Sequence, residues 1–274
     1  MVTVSRACQL KVSSQKFESV TSSGKTQLVG VEDSPINPKL FMLSDNVCQQ
    51  VTQLCPLTEN NDDLIFTTSS NAVSSVNRNK RIRLLQFTEG RKCAAELLAL
   101  MGSTDTTVGA LNGAPVWPIG FVGSLTHTKM YLGVAVARQR DLRSVGIDIE
   151  EIVSSQAATD IESICLNIME RKLIKLVDLP RTLISTICFS AKESLYKCLH
   201  PLTGVFFDFS DAQILAIDIP SRKILVTLRK RLSSEFIQGA TILGGFSFDS
   251  KHVYTAFELR PDQQLQPHLR SEER

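Results

Sequence analysis

The stretch YLGVAVARQRDLRSVGIDIE, residues 131–150, indicates how the chain folds. Its two ends, residues 131–137 and 145–149, are rich in β-branched and apolar side chains, which is typical of strands. The residues between them are polar and predict a loop. The simplest geometry for two strands joined in this way is a hairpin.

A helix is predicted before this stretch. The segment EGRKCAAELLALMG, residues 89–102, has apolar side chains at helical spacing and ends at Gly102, a residue type common at C-terminal caps. The predicted helix starts with Arg91 and Lys92. Their position near its N-terminus would favour an anion, because the first backbone N–H groups of a helix lack partners within it.

Two helices and a sheet are predicted after it. Residues 160–178 have Asp160 as N-cap and Pro180 as the stop, and residues 182–199 have one apolar face. Beyond them, short β-branched or aromatic runs separated by polar turns predict an antiparallel sheet. These runs are GVFFDFS, QILAIDI, KILVTL, TILGGFSF and HVYTAFEL.

This order of elements predicts an α+β fold of two similar halves that meet near residue 150. The expected divisions are an N-terminal extension (1–75), a first half (76–150), a second half (151–260) and a disordered tail (261–274). The extension is rich in Ser, Thr, Asn and Gln and gives little information on function.

The composition is that of a soluble globular protein. Of the 274 residues, 43% are hydrophobic and 21% are charged, and the net charge of +2 gives no general argument for nucleic acid or a membrane surface. We find neither a membrane-spanning run nor a hydrophobic signal core, so we expect a cytoplasmic protein. The seven cysteines lack C-x-x-C spacing and favour reduced, buried thiols over disulfides or zinc.

Asp148 and Glu150 are the first candidates for chemistry. They are two residues apart on a predicted strand, so both carboxylates leave the same face. Two neighbouring like charges are commonly accommodated by a hard cation, and Mg²⁺ suits carboxylates combined with waters and phosphate oxygens. The alternative is a solvated strand end at a hairpin.

Glu193 in FSAKESLYK, residues 189–197, lies opposite the apolar face of the second predicted helix. It lines a site, forms an i,i+4 surface pair with Lys197, or completes a capping box with Ser190. The apolar period continues through Ser190 from the preceding turns, which disfavours a helix start there.

Basic side chains and one histidine complete the candidate set. Lys192, Lys197 and the upstream residues Arg81, Arg83, Arg91 and Lys92 are able to neutralise phosphate groups. The segment GSLTHT supplies Thr126 and His127 before a strand. A hydrolase is disfavoured because G-x-S-x-G is absent; an imidazole is able to donate to a phosphate oxygen.

Taken in order, the segments GRKCAAELL, WPIGFVGSLTHT, GIDIE and FSAKESLYK resemble the 4'-phosphopantetheinyl transferase superfamily, in particular the group of enterobactin synthase component D and the surfactin-type enzymes. The similarity runs from about residue 81 to residue 259. The resemblance implies a pseudo-dimer of two α+β halves with the active site in the cleft between them. It also implies transfer of the phosphopantetheine arm of coenzyme A to a serine of an apo carrier protein, with release of adenosine 3',5'-bisphosphate.

The same resemblance implies roles for the candidate residues. Asp148, Glu150 and Glu193 would be Mg²⁺ ligands, and Glu193 would also remove the serine proton or act as a ligand only. The implied contacts to coenzyme A are Thr126, His127, Lys192 and Lys197 at phosphates, and Arg81, Arg83, Arg91 and Lys92 at the 3'-phosphate and adenine end. His127 and Lys197 would also assist catalysis.

The expected partner is an acyl, aryl or peptidyl carrier protein of siderophore, antibiotic or fatty-acid biosynthesis. The protein itself is expected to be a monomer. Carrier proteins usually present an acidic helix beside the modified serine, so basic and apolar residues near the cleft should receive it. Residues 151–180 lie between the two groups of motifs and are the candidate contact. Two alternatives remain open: a non-catalytic partner that holds coenzyme A or a carrier, and a metal-dependent phosphohydrolase that cleaves coenzyme A without a carrier.

Overall fold

The computed structural model describes residues 40–54, 71–111, 113–263 and 265, with side chains in the first helix described from residue 80. Most of the predicted extension and tail therefore lies outside the described residues. The elements are β1 (Val47–Gln53), α1 (Asn71–Leu100), β2 (Gly109–Leu111), β3 (Ala114–Val116), β4 (Phe121–His127), β5 (Tyr131–Arg138), β6 (Ser144–Glu151), α2 (Ser155–Cys165), α3 (Ile168–Ile174), α4 (Arg181–Thr203), β7 (Ala212–Asp218), β8 (Lys223–Leu228), β9 (Thr241–Phe248) and β10 (His252–Leu259). The α+β class is confirmed.

The first half is a three-stranded antiparallel sheet with α1 packed on one face. The strand order is β1-β5-β4. Apolar side chains of α1, among them Leu97 and Leu98, pack with Leu132, Val134 and Val136 of β5. The predicted cap at Gly102 is present, since this residue has a φ of 76°.

The second half is a five-stranded antiparallel sheet covered by α4. The strand order is β6-β10-β9-β8-β7. Ile187, Ala191 and Leu195 of α4 are fully buried in the largest core cluster, which includes Phe246 and Phe257 of the sheet. Each half is therefore a sheet with a long helix on it, as the order of elements predicted.

Gly146 of β6 allows α4 to lie directly against the sheet. A Cβ atom at this position would be 2.0 Å from the carbonyl oxygen of Ser194 and 2.4 Å from the amide nitrogen of Cys198. Both atoms belong to the α4 backbone, which cannot move aside as a flexible side chain can. A glycine is therefore required where the helix crosses β6.

The predicted hairpin of residues 131–149 is wrong. Both strands exist, but β5 pairs with β1 and β4, whereas β6 pairs with β10. The polar loop between β5 and β6 is thus the crossing from one sheet to the other. A boundary within residues 139–143 fits this pairing better than the expected one at residue 150.

Three other expectations about elements are wrong. The first helix begins at Asn71, so Arg91 and Lys92 are far from its N-terminus and cannot use its unpaired N–H groups. The helix predicted over residues 160–178 is two helices, because Asn167 starts α3 with a capping box. The run GVFFDFS forms a loop and a 3₁₀ turn, Phe209–Asp211, instead of a strand.

The two sheets meet where β4 faces β6, at the edge of each. The backbone N–H groups of Ile147 and Ile149 donate to the hydroxyls of Ser124 and Thr126, at 3.1 and 3.2 Å. We call this line of contact between β4 and β6 the seam. Along it, side-chain oxygens take the place of a main-chain hydrogen-bond ladder. Behind it, a second apolar cluster joins residues of both halves: Phe41, Val47, Ala135, Ala137, Leu142, Val145, Ile147, Ile149, Tyr254 and Ala256.

Candidate active site

Asp148 lies at the centre of the candidate site and is only 3% exposed. Its Oδ1 atom accepts hydrogen bonds from Thr126 Oγ1 at 3.0 Å and from Lys197 Nζ at 2.6 Å, and its Oδ2 atom accepts one from Ser190 Oγ at 2.8 Å. Thr126 belongs to the first half, and Ser190 and Lys197 belong to α4. The alternative of a solvated strand end is therefore wrong for Asp148.

Glu150 and Glu193 lie close enough to Asp148 for its negative charge to raise the pKa of both side chains. Burial, followed by the negative charge of Asp148 and then that of Glu193, raises the pKa of Glu150 to about 8, although Lys197 opposes the shift. Burial and then Asp148 also raise the pKa of Glu193. The structure thus brings the three predicted carboxylates into one neighbourhood, where the ionised forms disfavour one another.

The chemistry of this donor set fits a hard divalent cation, although the carboxylates do not form a ready-made cage. Within the described ranges, no group of three or more His, Cys, Asp or Glu side chains is arranged to hold a metal ion. Mg²⁺ is usually held by one or two carboxylates with waters and substrate phosphates, so a full protein cage is not needed. The residues fit a cation site that a phosphate-bearing ligand would complete.

Lys197 does not form the surface pair with Glu193 that the helix spacing allowed. Its ammonium group bonds to Asp148 across the α4–β6 interface. The capping-box alternative is also wrong, because α4 runs without interruption from Arg181 to Thr203 and Ser190 lies within it.

Lys192 is not available to bind a phosphate, which corrects the expectation for this residue. Its side chain is 2% exposed and its Nζ atom lies 2.8 Å from Glu170 Oε1. It also donates to the carbonyl oxygens of Cys165 and Phe209, each at 2.8 Å. All three ammonium protons thus have acceptors inside the protein.

Thr126 and His127 are adjacent on β4 but differ in accessibility. Thr126 is 4% exposed, and its hydroxyl bonds to Asp148 and to the N–H of Ile149. This position does not suit the expected contact with a coenzyme A phosphate. His127 is exposed, and no described residue makes a hydrogen bond to its imidazole.

The basic residues of α1 divide into two groups. Gln86 donates to the carbonyl oxygen of Thr128, which places this part of α1 beside the end of β4, and Arg83 lies one turn before it. Arg81 and Arg83 are exposed, as is Lys92. Arg91 instead stacks on Phe87 at 3.5 Å and donates to the carbonyl oxygen of Gly109. Arg91 therefore stabilises the link to β2.

An aromatic cleft beside Glu193 was not anticipated from the sequence. It has a volume of about 250 Å³ and is lined by Lys192, Glu193, Tyr196, Phe206, Phe207, Asp208, Phe209 and Ala212. The aromatic run FFDF carried the signal, but its β-like composition led to a strand prediction. A mostly apolar cleft with a few polar groups at its edge is the usual form of a small-molecule site.

Comparison with known proteins agrees with the division into halves. Residues 73–137 match the model of the 4'-phosphopantetheinyl transferase N-terminal domain, and residues 144–256 match that of the 4'-phosphopantetheinyl transferase superfamily. The first match covers α1 to β5 and the second covers β6 to β10. A pseudo-dimer of two α+β halves is consistent with this pair of matches.

Curated relatives match over the same region. Identity is 38% over 133 residues with 4'-phosphopantetheinyl transferase Npt of Nocardia iowensis, which is 48% of this chain and 59% of that protein. With 4'-phosphopantetheinyl transferase PptT of Mycobacterium tuberculosis, identity is 38% over 136 residues, which cover 47% of this chain and 56% of that protein. With enterobactin synthase component D of Salmonella typhi, identity is 32% over 135 residues, which cover 49% of this chain and 55% of that protein. The chain thus spans about half the length of the curated relatives it matches. With both family models matched in order, the chain belongs to the 4'-phosphopantetheinyl transferase superfamily.

Proposed function

We propose that this protein transfers the 4'-phosphopantetheine arm of coenzyme A to a serine of an apo acyl, aryl or peptidyl carrier protein and releases adenosine 3',5'-bisphosphate. The observation that carries the proposal is the group formed by Asp148, Glu150 and Glu193 beside the aromatic cleft, in a chain of this superfamily. The attacking hydroxyl comes from the carrier, so the protein needs no nucleophile of its own.

Asp148, Glu150 and Glu193 are the residues that would hold Mg²⁺. When bound, this ion offsets the negative charge of the diphosphate and of the leaving group. Lys197 holds Asp148 by a hydrogen bond of 2.6 Å and adds positive charge beside the carboxylates. Glu193 either takes the proton of the carrier serine or serves as a ligand only.

The parts of coenzyme A have candidate positions on the protein. The accessible imidazole of His127 suits a phosphate oxygen. Arg83 lies one turn before Gln86, which bonds to Thr128 next to His127, and Arg81 lies two residues before Arg83. The 3'-phosphate and adenine end would lie there, with exposed Lys92 further along the helix. The aromatic cleft at Tyr196 would receive the pantetheine arm, because it is apolar and adjoins Glu193.

The carrier protein would dock on α2 and α3, within the expected region 151–180. Four large apolar side chains are exposed there, namely Ile164, Ile168, Met169 and Leu176. Arg171 and Lys172 are exposed on the same segment, so the surface combines apolar area with positive charge. This combination suits an acidic carrier helix.

Location and pathway are the broadest parts of the proposal. No helix within the described ranges is long and apolar enough to cross a membrane. Five described cysteines are free thiols, which favours a reducing compartment such as the cytoplasm. A role in siderophore or antibiotic biosynthesis would be decided by which carrier is modified fastest.

The test is incubation with coenzyme A, Mg²⁺ and a panel of apo carriers, followed by intact-mass measurement of each carrier. We expect a mass gain of one phosphopantetheine arm and formation of adenosine 3',5'-bisphosphate in equal amount. Coenzyme A binding without any product would favour the non-catalytic partner. Cleavage of coenzyme A without a carrier would favour the phosphohydrolase.

A further inference from the structure

The hydroxyl of Thr126 has no proton left for a ligand. A threonine hydroxyl carries one proton and accepts through its lone pairs. The N–H of Ile149 donates to Thr126 Oγ1 at 3.2 Å, and the proton of Thr126 goes to Asp148 Oδ1 at 3.0 Å. A phosphate oxygen needs a donor, and this donor is already used.

The other oxygen of Asp148 is held in the same way by the second half. Ser190 Oγ lies 2.8 Å from Asp148 Oδ2 and 2.8 Å from Thr255 Oγ1. Ser190 donates its single proton to Asp148 Oδ2, so Thr255 is the donor in its bond with Ser190. Ser190 and Thr255 are both fully buried, which leaves no water to compete for these bonds.

We infer that Thr126 and Ser190 are positioning residues for Asp148, one from each half and one for each carboxylate oxygen. Together they fix the plane of the carboxylate. Because Thr126 also accepts from the backbone of β6, the orientation of Asp148 is tied to the way the two halves meet. This inference rests on the proposed function, which makes Asp148 a cation ligand, and it replaces a phosphate-contacting role for Thr126.

The seam provides a matched control. Ser124 lies two residues before Thr126 on β4, is equally buried, and accepts from the N–H of Ile147 at 3.1 Å. Unlike Thr126, it makes no hydrogen bond to the Asp148 carboxylate. Ser124→Ala therefore breaks the same kind of seam bond without touching the carboxylate.

The experiment compares Thr126→Val, Thr126→Ser, Ser190→Ala and Ser124→Ala with the wild-type protein. The first readout is the ¹³Cγ NMR resonance of Asp148 in metal-free protein, assigned through Asp148→Asn. We expect it to move in Thr126→Val and Ser190→Ala, and to stay at the wild-type position in Ser124→Ala and near it in Thr126→Ser.

The second readout is direct Mn²⁺ binding by the protein without coenzyme A, measured by calorimetry. Loss of a group that orients a metal ligand typically weakens binding by about 10- to 100-fold, and we expect this range for Thr126→Val and Ser190→Ala. Thr126→Ser should recover wild-type affinity and Ser124→Ala should keep it. The KM for coenzyme A at saturating Mg²⁺ should not change in Thr126→Val.

Two results would overturn the inference. An unmoved Asp148 resonance in Thr126→Val, with a raised KM for coenzyme A, would restore the phosphate-contacting role. Equal changes of the Asp148 resonance and of Mn²⁺ affinity in Thr126→Val and Ser124→Ala would mean that Thr126 only joins β4 to β6 and does not orient Asp148. If wild-type protein binds no Mn²⁺ or transfers nothing, the proposed function fails, and the resonance still decides how Asp148 is held. If Ser190→Ala does not fold, the two Thr126 variants decide.

Discussion

Replacing Lys192 by methionine tests whether this lysine serves the fold or the ligand. Lys192 and Glu170 form a buried pair with side chains 2% and 1% exposed. Glu170 also accepts from the N–H groups of Ile214 and Asn167, each at 2.8 Å. The pair thus connects α3, α4 and β7 through one set of hydrogen bonds. Methionine keeps the apolar stem and removes the ammonium group.

The expected loss in the free energy of unfolding is about 3–5 kcal/mol, because the Glu170 carboxylate stays buried without its counter-charge. The carbonyl oxygens of Cys165 and Phe209 lose a partner as well, which contributes to this loss. A domain has about 5–15 kcal/mol of stability in total, so the variant should fold but unfold at much lower denaturant.

The assay is urea unfolding followed by circular dichroism. Lys230→Met is the control, since Lys230 pairs with Asp211 at 3.4 Å on the surface and should contribute no more than about 1 kcal/mol. The double variant Glu170→Gln with Lys192→Met should lose less stability than Lys192→Met alone. A change below about 1 kcal/mol in Lys192→Met, together with a raised KM for coenzyme A, would refute the structural role.

Five further outcomes are expected. Glu193→Gln should lower the transfer rate at least about 100-fold with little loss of stability, since Glu193 is only partly buried. Asp148→Asn should lower both the transfer rate and the stability, because Asp148 is buried and hydrogen-bonded. Chelation with EDTA should abolish transfer, and added Mg²⁺ should restore it. Transfer that continues in EDTA would show that the reaction does not need the cation. Gly146→Ala should cost about 1–3 kcal/mol or more, measured by thermal unfolding against Gly109→Ala, whose Cβ would meet only an ordinary contact of 3.5 Å. Hydrogen bonds from Arg181 and then Ser185 lower the pKa of Glu162 overall, so its contribution to stability exists at neutral pH and disappears as pH falls through that lowered pKa; Glu162→Gln should therefore differ from wild type in urea unfolding at pH 7 but not in strong acid.

The sequence predicted where helices and strands form better than it predicted which strands pair with each other. Strands β5 and β6 follow from local composition, but the strand that pairs with β6 is β10, far along the chain, and no local signal names it. The break between α2 and α3 was readable, because Asn167 and Glu170 have capping-box spacing. The start of α1 was not, since its first half is polar and lacks an apolar period.

The candidate site shows the same division. The spacing of Asp148 and Glu150 predicted a shared face, and the structure places Glu193 beside them. Lys192 and Lys197 look alike in sequence, yet one is buried against Glu170 and the other reaches Asp148. Their difference depends on which element packs over each side of α4, and sequence spacing does not encode that.

The seam between β4 and β6 gives this architecture a freedom that a continuous sheet lacks. Two strands joined by a main-chain ladder change register only in whole-residue jumps, each of which turns every side chain to the opposite face. Ser124 and Thr126 join the strands by hydroxyl groups instead. An exchange of serine for threonine adds one methyl group between β4 and β6 and keeps the hydroxyl that accepts the bond. Single substitutions of this kind are therefore able to adjust the packing of the two halves in small steps.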